Sequence, residues 1–194
     1  MLEEEYSKNK EDVIWKYDWN LKYWMKFLDI PEKMLCGYGV EVGCGRHGIY
    51  KSLPNNMVGL DPIFFDDRKN LVIGVAEYLP FKKVSFVISC NGIDHYLDPQ
   101  KAVNEMFRIS DRIIVWVYIY PKWLVMVMSG LDRMHTHHLT EKDVLLYLSG
   151  YTITHQKYYS PLKHWKLTKS LFNRLKLIIA HLVGVRGLCI HLEH

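Results

Sequence analysis

The sequence predicts a single α/β domain, built as a doubly wound, mostly parallel sheet of about seven strands with helices on both faces. Three observations lead there. Short apolar runs, most of them rich in β-branched residues, recur at 38–42, 57–60, 71–74, 84–89, 113–118, 151–157 and 188–192. Helical or loop-like stretches separate them, an alternation that calls for parallel strands joined by right-handed crossovers. A chain of 194 residues, 49% of them hydrophobic, suits one well-filled core and is short for two.

Taken in order, Ile14, Tyr17, Leu21, Trp24 and Leu28 recur at spacings of three and four, one face of an amphipathic helix that must end before Pro31. A second row, Trp15, Trp19 and Tyr23, cannot share all of that burial; it reads either as part of a wide buried stripe or as a lid over a crevice. Asp98 is placed to cap a helix with Pro99 at its first position, turning Ala102, Val103, Met106 and Phe107 inward. The apolar stretch 113–131 nearly has the length of a membrane span, but Pro121 and Lys122 break it into a buried strand, a loop and a short helix. Thr140 and Asp143 form a near capping box for a helix that stops at Gly150. A basic, apolar segment over 162–183 reads as a further helix. The link between the strands at 57 and 71 leaves little room for a helix, so the sheet is expected to be thinly covered there. Within the one domain, 1–194, residues 1–34 form a helical cap, 35–120 the first half of the sheet and 121–194 the second.

Composition excludes more than it selects. A net charge of +4 is far from the strongly basic balance of a dedicated nucleic-acid binder. Cys36, Cys44, Cys90 and Cys189 make no CxxC pair, which disfavours structural zinc and disulfides and suits reduced thiols in a cytoplasm. The start of the chain is polar and acidic, opposite to a signal peptide. Leu192, Glu193 and His194 match the opening of an appended histidine tag and are set aside.

The strongest local signal runs from Gly39 to Gly48, a strand entering a glycine turn at Gly43, Cys44 and Gly45. Without side chains, Gly43 and Gly45 let the backbone bend and a nucleotide-like ligand lie against it. The turn alone suits a dinucleotide as well. Glu41, two residues earlier, favours a cofactor with a cationic amino group and would repel a pyrophosphate. Asp61 closes the second strand, where an acid accepts from ribose hydroxyls in either cofactor class.

With Ala76, Glu77, Leu79, Pro80 and Phe81 and then the segment Asn91 to His95, these residues resemble the core of class I S-adenosylmethionine-dependent methyltransferases, in the small-molecule branch typified by ubiquinone and menaquinone biosynthesis. The resemblance covers somewhat more than half of the chain. It implies a Rossmann-like fold, S-adenosylmethionine as cofactor and an unidentified small-molecule acceptor. It also implies a cofactor site made from Glu41, Gly43, Cys44, Gly45, Arg46, Asp61, Pro62, Ala76, Glu77 and Asn91. His137 to Thr140 and Gly150-Tyr151 are similar to the family's entrance to its sixth strand. Two departures stand out. Arg46-His47 lengthens the turn and sets a cation near the cofactor's carboxylate, and Val75 replaces an aspartate that accepts from the adenine amino group.

Methyl transfer from a sulfonium is an in-line displacement that rests on positioning and desolvation and requires no universal catalytic group. For an acceptor that must lose a proton, Asp94 and His95 are the candidate bases, while a structural role for His95 stays open. Cys44 reads as a packing residue whose backbone N–H serves the ligand. His135, His137 and His138 match no familiar metal-ligand spacing and show no acidic neighbour in sequence, so no metal is assigned and a polar loop at the site's mouth is expected. Lys157, Lys163, Lys166, Lys169, Arg174, Lys176 and Arg186 face only Glu193, a basic excess that suits a solvated helix face, an anionic ligand or weak contact with a membrane surface. The rival functions are a nicotinamide-dependent oxidoreductase and a non-catalytic module that binds the cofactor.

Overall fold

The computed structural model describes residues 25, 29–45, 48–52, 56–63, 70–131, 135–163 and 171–193. Seven strands make one sheet: β1 (Gly39–Val42), β2 (Met57–Asp61), β3 (Leu71–Ile73), β4 (Phe86–Cys90), β5 (Arg112–Ile119), β6 (Thr152–Tyr159) and β7 (Arg186–Glu193), in the order β3-β2-β1-β4-β5-β7-β6. The first five pair in parallel, and β7 runs antiparallel between β5 and β6. The mostly parallel doubly wound sheet read from the sequence is therefore present. The order in which strands join the sheet reverses between β1 and β4, and in such sheets the ligand crevice lies at the carboxyl ends of the strands flanking that point.

Burial on both faces explains why the central strands read as continuous apolar runs rather than alternating ones. Val40, Val42, Val87, Ile113, Val115 and Val117 face one apolar cluster with Ala102, Val103, Met106 and Phe107. Those four come from helix α1 (Pro99–Ile109), whose cap is the expected one: Asp98 accepts from the Lys101 N–H at 3.0 Å, with Pro99 opening the helix. Such a cap contributes about 1 kcal/mol. Phe86, Ile88, Ile114 and Trp116 point the other way, onto Ile30, Met34, Ile49 and Tyr50.

The break at Pro121 falls where the sequence places it, between β5 and helix α2 (Lys122–Leu131). Helix α3 (Glu141–Tyr147) carries a full capping box between Thr140 and Asp143. It ends three residues before Gly150 rather than at it, because Leu148 leaves the helix and Gly150, at φ +94°, takes the left-handed turn into β6. Helix α4 (Leu171–Leu182) takes up the later part of the basic segment expected at 162–183, whereas Leu162 and Lys163 lie in a 3-10 turn. It exposes Leu175, Ile179 and Leu182 in one row beside Arg174 and Lys176. None of the described helices is long and apolar enough to cross a membrane.

Two of the residues set aside at the end of the sequence lie in the sheet. Leu192 is fully buried in the core, opposite Ile113 on one side and Ile153 on the other, and Glu193 continues the same strand. Both belong to the sheet. The helix expected over 14–28, with its row Trp15, Trp19 and Tyr23, lies outside the described residues apart from Met25, as do Arg46 and His47.

Candidate cofactor and acceptor site

Gly43 follows β1 at φ +68° and Gly45 stands at φ +52°, backbone conformations that explain glycine at both positions. A Cβ on Gly45 would meet nothing within 4 Å among the described residues, so space is open over the turn. The turn's own donors are engaged from within. The N–H groups of Gly43 and Cys44 donate to Leu60 O at 2.9 and 3.2 Å, and that of Gly45 donates to Asp61 Oδ2 at 2.7 Å. The Cys44 N–H, expected to serve a ligand, instead extends the β1–β2 ladder by one bond, while its buried side chain packs with Ile49 and Tyr50.

Both acids of this half are buried and held by backbone. Glu41 is 2% exposed, and its Oε2 accepts from the Tyr50 N–H at 2.8 Å, tying β1 to the 3-10 turn Ile49–Ser52 beyond the glycines. Asp61 accepts from Gly45 N–H and, through Oδ1, from Ile63 N–H at 3.0 Å. Pro62 beside it is exposed.

The segment Ala76 to Phe81 is fastened at three points. Glu77 Oε1 accepts from the N–H groups of Leu97 and Asp98 at 2.8 and 3.1 Å, just ahead of α1. Arg108 donates to Leu79 O at 2.7 Å and to Phe81 O at 3.1 Å while forking onto Glu105. Glu105 in turn accepts from the Leu79 N–H at 2.9 Å. Ala76 is core, and Val75, which stands at the adenine aspartate's station, is 38% exposed.

The turn after β4 forms the other wall of the crevice and touches the glycine turn: a Cβ on Gly43 would lie 3.3 Å from Gly92 Cα and 3.1 Å from the Tyr96 hydroxyl. Tyr96 is the hinge pin, its hydroxyl donating to Val42 O at 3.0 Å and sharing a hydrogen bond with Ser89 Oγ at 2.8 Å. Burial pushes its phenol well above the ordinary value, so it stays a neutral donor. Asn91 takes a left-handed φ of +52°, and its Oδ1 is buried without a hydrogen-bond partner among the described residues. Buried acceptors of that kind are uncommon and invite a ligand's donor.

Asp94 is 1% exposed, and here the structure brings together what sequence spacing kept apart. His135 Nε2 lies 3.7 Å from Asp94 Oδ2, and the rings of His95 and His135 stand 4.7 Å apart. The histidine loop has the acidic neighbour its own sequence lacked. That loop is docked by the His137 N–H donating to Asp94 O at 2.8 Å, Thr136 Oγ1 donating to His95 O at 3.2 Å, and His137 Nε2 at 2.9 Å from Tyr96 O. His138 is buried, its ring edge-on to Tyr120.

This sheet order, with the crevice between the β1 and β4 turns, is the fold of class I S-adenosylmethionine-dependent methyltransferases. Among solved structures, geranyl diphosphate C-methyltransferase from Streptomyces coelicolor A3(2), in complex with Mg2+, geranyl diphosphate and S-adenosyl-L-homocysteine, superposes with a TM-score of 0.67 at 13% identity, covering 87% of this chain and 77% of that one. YcgJ from Bacillus subtilis gives a TM-score of 0.60 at 16% identity over 90% of this chain and 97% of that one. The [4+2]-cyclase SpnF gives 0.61 at 12% identity over 87% and 80%. No protein-family model and no curated protein sequence matches the chain.

Proposed function

We propose that the chain is an S-adenosylmethionine-dependent methyltransferase acting on a small-molecule acceptor. One observation carries the reading: the turn that would cradle a pyrophosphate has the N–H groups of Gly43, Cys44 and Gly45 engaged within the protein and two buried acids, Glu41 and Asp61, against it. A pyrophosphate needs donors and an α-helix N-terminus, and the described residues after this turn form only the short 3-10 turn Ile49–Ser52. A cofactor with a cationic methionine end meets the acids favourably instead.

In this reading Glu41 faces the amino group, Arg46 the carboxylate, and Asp61, whose oxygens retain further lone pairs, the ribose hydroxyls. Gly43, Cys44 and Gly45 supply the close-lying backbone, and Pro62 flanks the ribose. Ala76 and Glu77 present backbone to the adenine, the Glu77 side chain being held by α1. Asn91 Oδ1 accepts from the cofactor. Asp94 and His95 stand on the acceptor side, as bases for an acceptor that must lose a proton. The basic, apolar row of α4 suits weak contact with an anionic ligand or membrane surface.

Calorimetry with S-adenosylmethionine, S-adenosylhomocysteine and NAD side by side tests the assignment. Binding of both adenosyl compounds with none of NAD is the expected result. NAD binding without them makes the chain a nicotinamide enzyme. The fold alone does not decide chemistry, since the [4+2]-cyclase SpnF has it too, so turnover is then read by transfer of labelled methyl to candidate acceptors.

A further inference from the structure

Asp94 and His95 leave β4, and His135 arrives from the far side of α2, yet one ligand atom from each lies within 4.8 Å of the other two. The separation of 3.7 Å between His135 Nε2 and Asp94 Oδ2 is too long for a good hydrogen bond. It is close to the roughly 3 to 3.4 Å that separates two donors on one ion with bonds of about 2.0–2.1 Å. Small rotations of the two imidazoles bring the set to that spacing.

We propose that Asp94, His95 and His135 bind one divalent transition-metal ion and leave it open coordination positions beside the glycine turn. Donor chemistry selects the ion. Two imidazoles with one carboxylate suit zinc or ferrous iron, with positions left for exogenous ligands, whereas Mg2+ prefers oxygen donors and keeps its waters. The Mg2+ of the geranyl diphosphate enzyme is thus a different kind of ion from the one this donor set fits.

The loop that carries His135 is pinned to the turn that carries the other two ligands. Asp94, His95 and Tyr96 each offer a backbone carbonyl to the histidine loop, and these three contacts fix the loop against the turn. Tyr96 anchors the turn to β1 in its own right.

The ion's use, to hold an oxygen or nitrogen of the acceptor next to the methyl donor, rests on the methyltransferase reading; its binding does not. With the ion in place, Asp94 and His95 hold metal rather than a proton, which separates this assignment from a base role.

The test uses the whole chain, stripped of metal and titrated with Co2+ as spectroscopic probe and Zn2+ by calorimetry. Expected are one ion per chain, visible d–d absorption of low-symmetry cobalt, and loss of at least about tenfold in affinity in His135→Ala and in Asp94→Asn, with His181→Ala on α4 unchanged. Should Asp94→Asn fail to fold, imidazole resonances of the unmutated protein decide, since Zn2+ must shift two histidine side chains. Absence of stoichiometric binding, or binding undiminished in His135→Ala, overturns the site. S-adenosylhomocysteine affinity measured on the metal-free protein reports separately on the methyltransferase reading.

Discussion

The two walls of the crevice are built to opposite rules. On the β1–β2 wall the polar groups are spent on the chain itself: the N–H groups of Gly43, Cys44 and Gly45 have internal acceptors, and Glu41 and Asp61 accept from backbone. On the β4 wall, Asn91 Oδ1 is buried without a partner among the described residues, and Asp94 faces imidazoles at more than hydrogen-bond distance. The first wall is tied together by its own backbone, and the second gathers a carboxylate and imidazoles at its surface. Residues that look functional in sequence therefore divide into those that hold the backbone and those that cluster as side chains, and substitutions on each wall should fail differently.

The largest effect is expected at Asp61, which does both jobs on the first wall. Asp61→Ala removes the acceptor of Gly45 N–H and the proposed ribose contact, so S-adenosylhomocysteine should bind more weakly by about 1.5–3 kcal/mol, roughly 10- to 150-fold. Calorimetry alongside a melting curve reads it. An unchanged dissociation constant in a folded variant would remove Asp61 from the cofactor site and leave it a turn anchor.

Glu77 comes next and reverses the pattern. Its Oε1 holds two N–H groups ahead of α1, so Glu77→Ala should lower stability by about 1–3 kcal/mol while cofactor affinity, corrected for unfolded chain, stays the same. A selective loss of affinity would instead put the Glu77 carboxylate on the adenine.

A gain is expected at Val75. The position is partly exposed at the end of β3, so Val75→Asp meets little desolvation cost and restores an acceptor for the adenine amino group. Affinity for S-adenosylhomocysteine should rise by about 1 kcal/mol, near fivefold. No change would mean that the adenine lies elsewhere than the resemblance implies.

These contrasts also explain what the sequence discloses. Strand positions and the glycine turn are legible because local rules fix them: apolar runs of strand length, Asp98-Pro99, Thr140 with Asp143, and glycines where φ is positive. The roles of Glu77 and Arg108 were hidden, because a motif shared with a family carries no mark of whether its acid faces a ligand or a helix end. The pairing of Asp94 with His135 was hidden for another reason. It depends on where the chain returns after β5 and α2, and neither segment records the other in its own spacing. The burial of Leu192 was hidden for the same reason, being set by Ile113 and Ile153.

The smallest expected effect concerns the clamp behind the first wall. The Glu105 carboxyl is held below the ordinary value of 4.5, first by its hydrogen bonds from Arg108 and then, against the opposing effect of burial, by the Leu79 N–H and the nearby charge. A depressed carboxyl stabilises the folded chain above its unfolded value, and that stabilisation fades as pH falls through the folded one. Arg108→Ala should therefore lower the melting temperature most near neutrality, and the gap to the unmutated protein should narrow as the solution is taken below the ordinary glutamate range. With Arg108 and Glu105 side chains 46% and 21% exposed, solvent screening keeps the pH-dependent part under about 1 kcal/mol. What survives at acid pH measures the donations from Arg108 to Leu79 O and Phe81 O, which do not titrate in that range. Melting curves at several pH values separate the two. A gap independent of pH would assign the clamp wholly to those carbonyls and make the ion pair incidental to the fold.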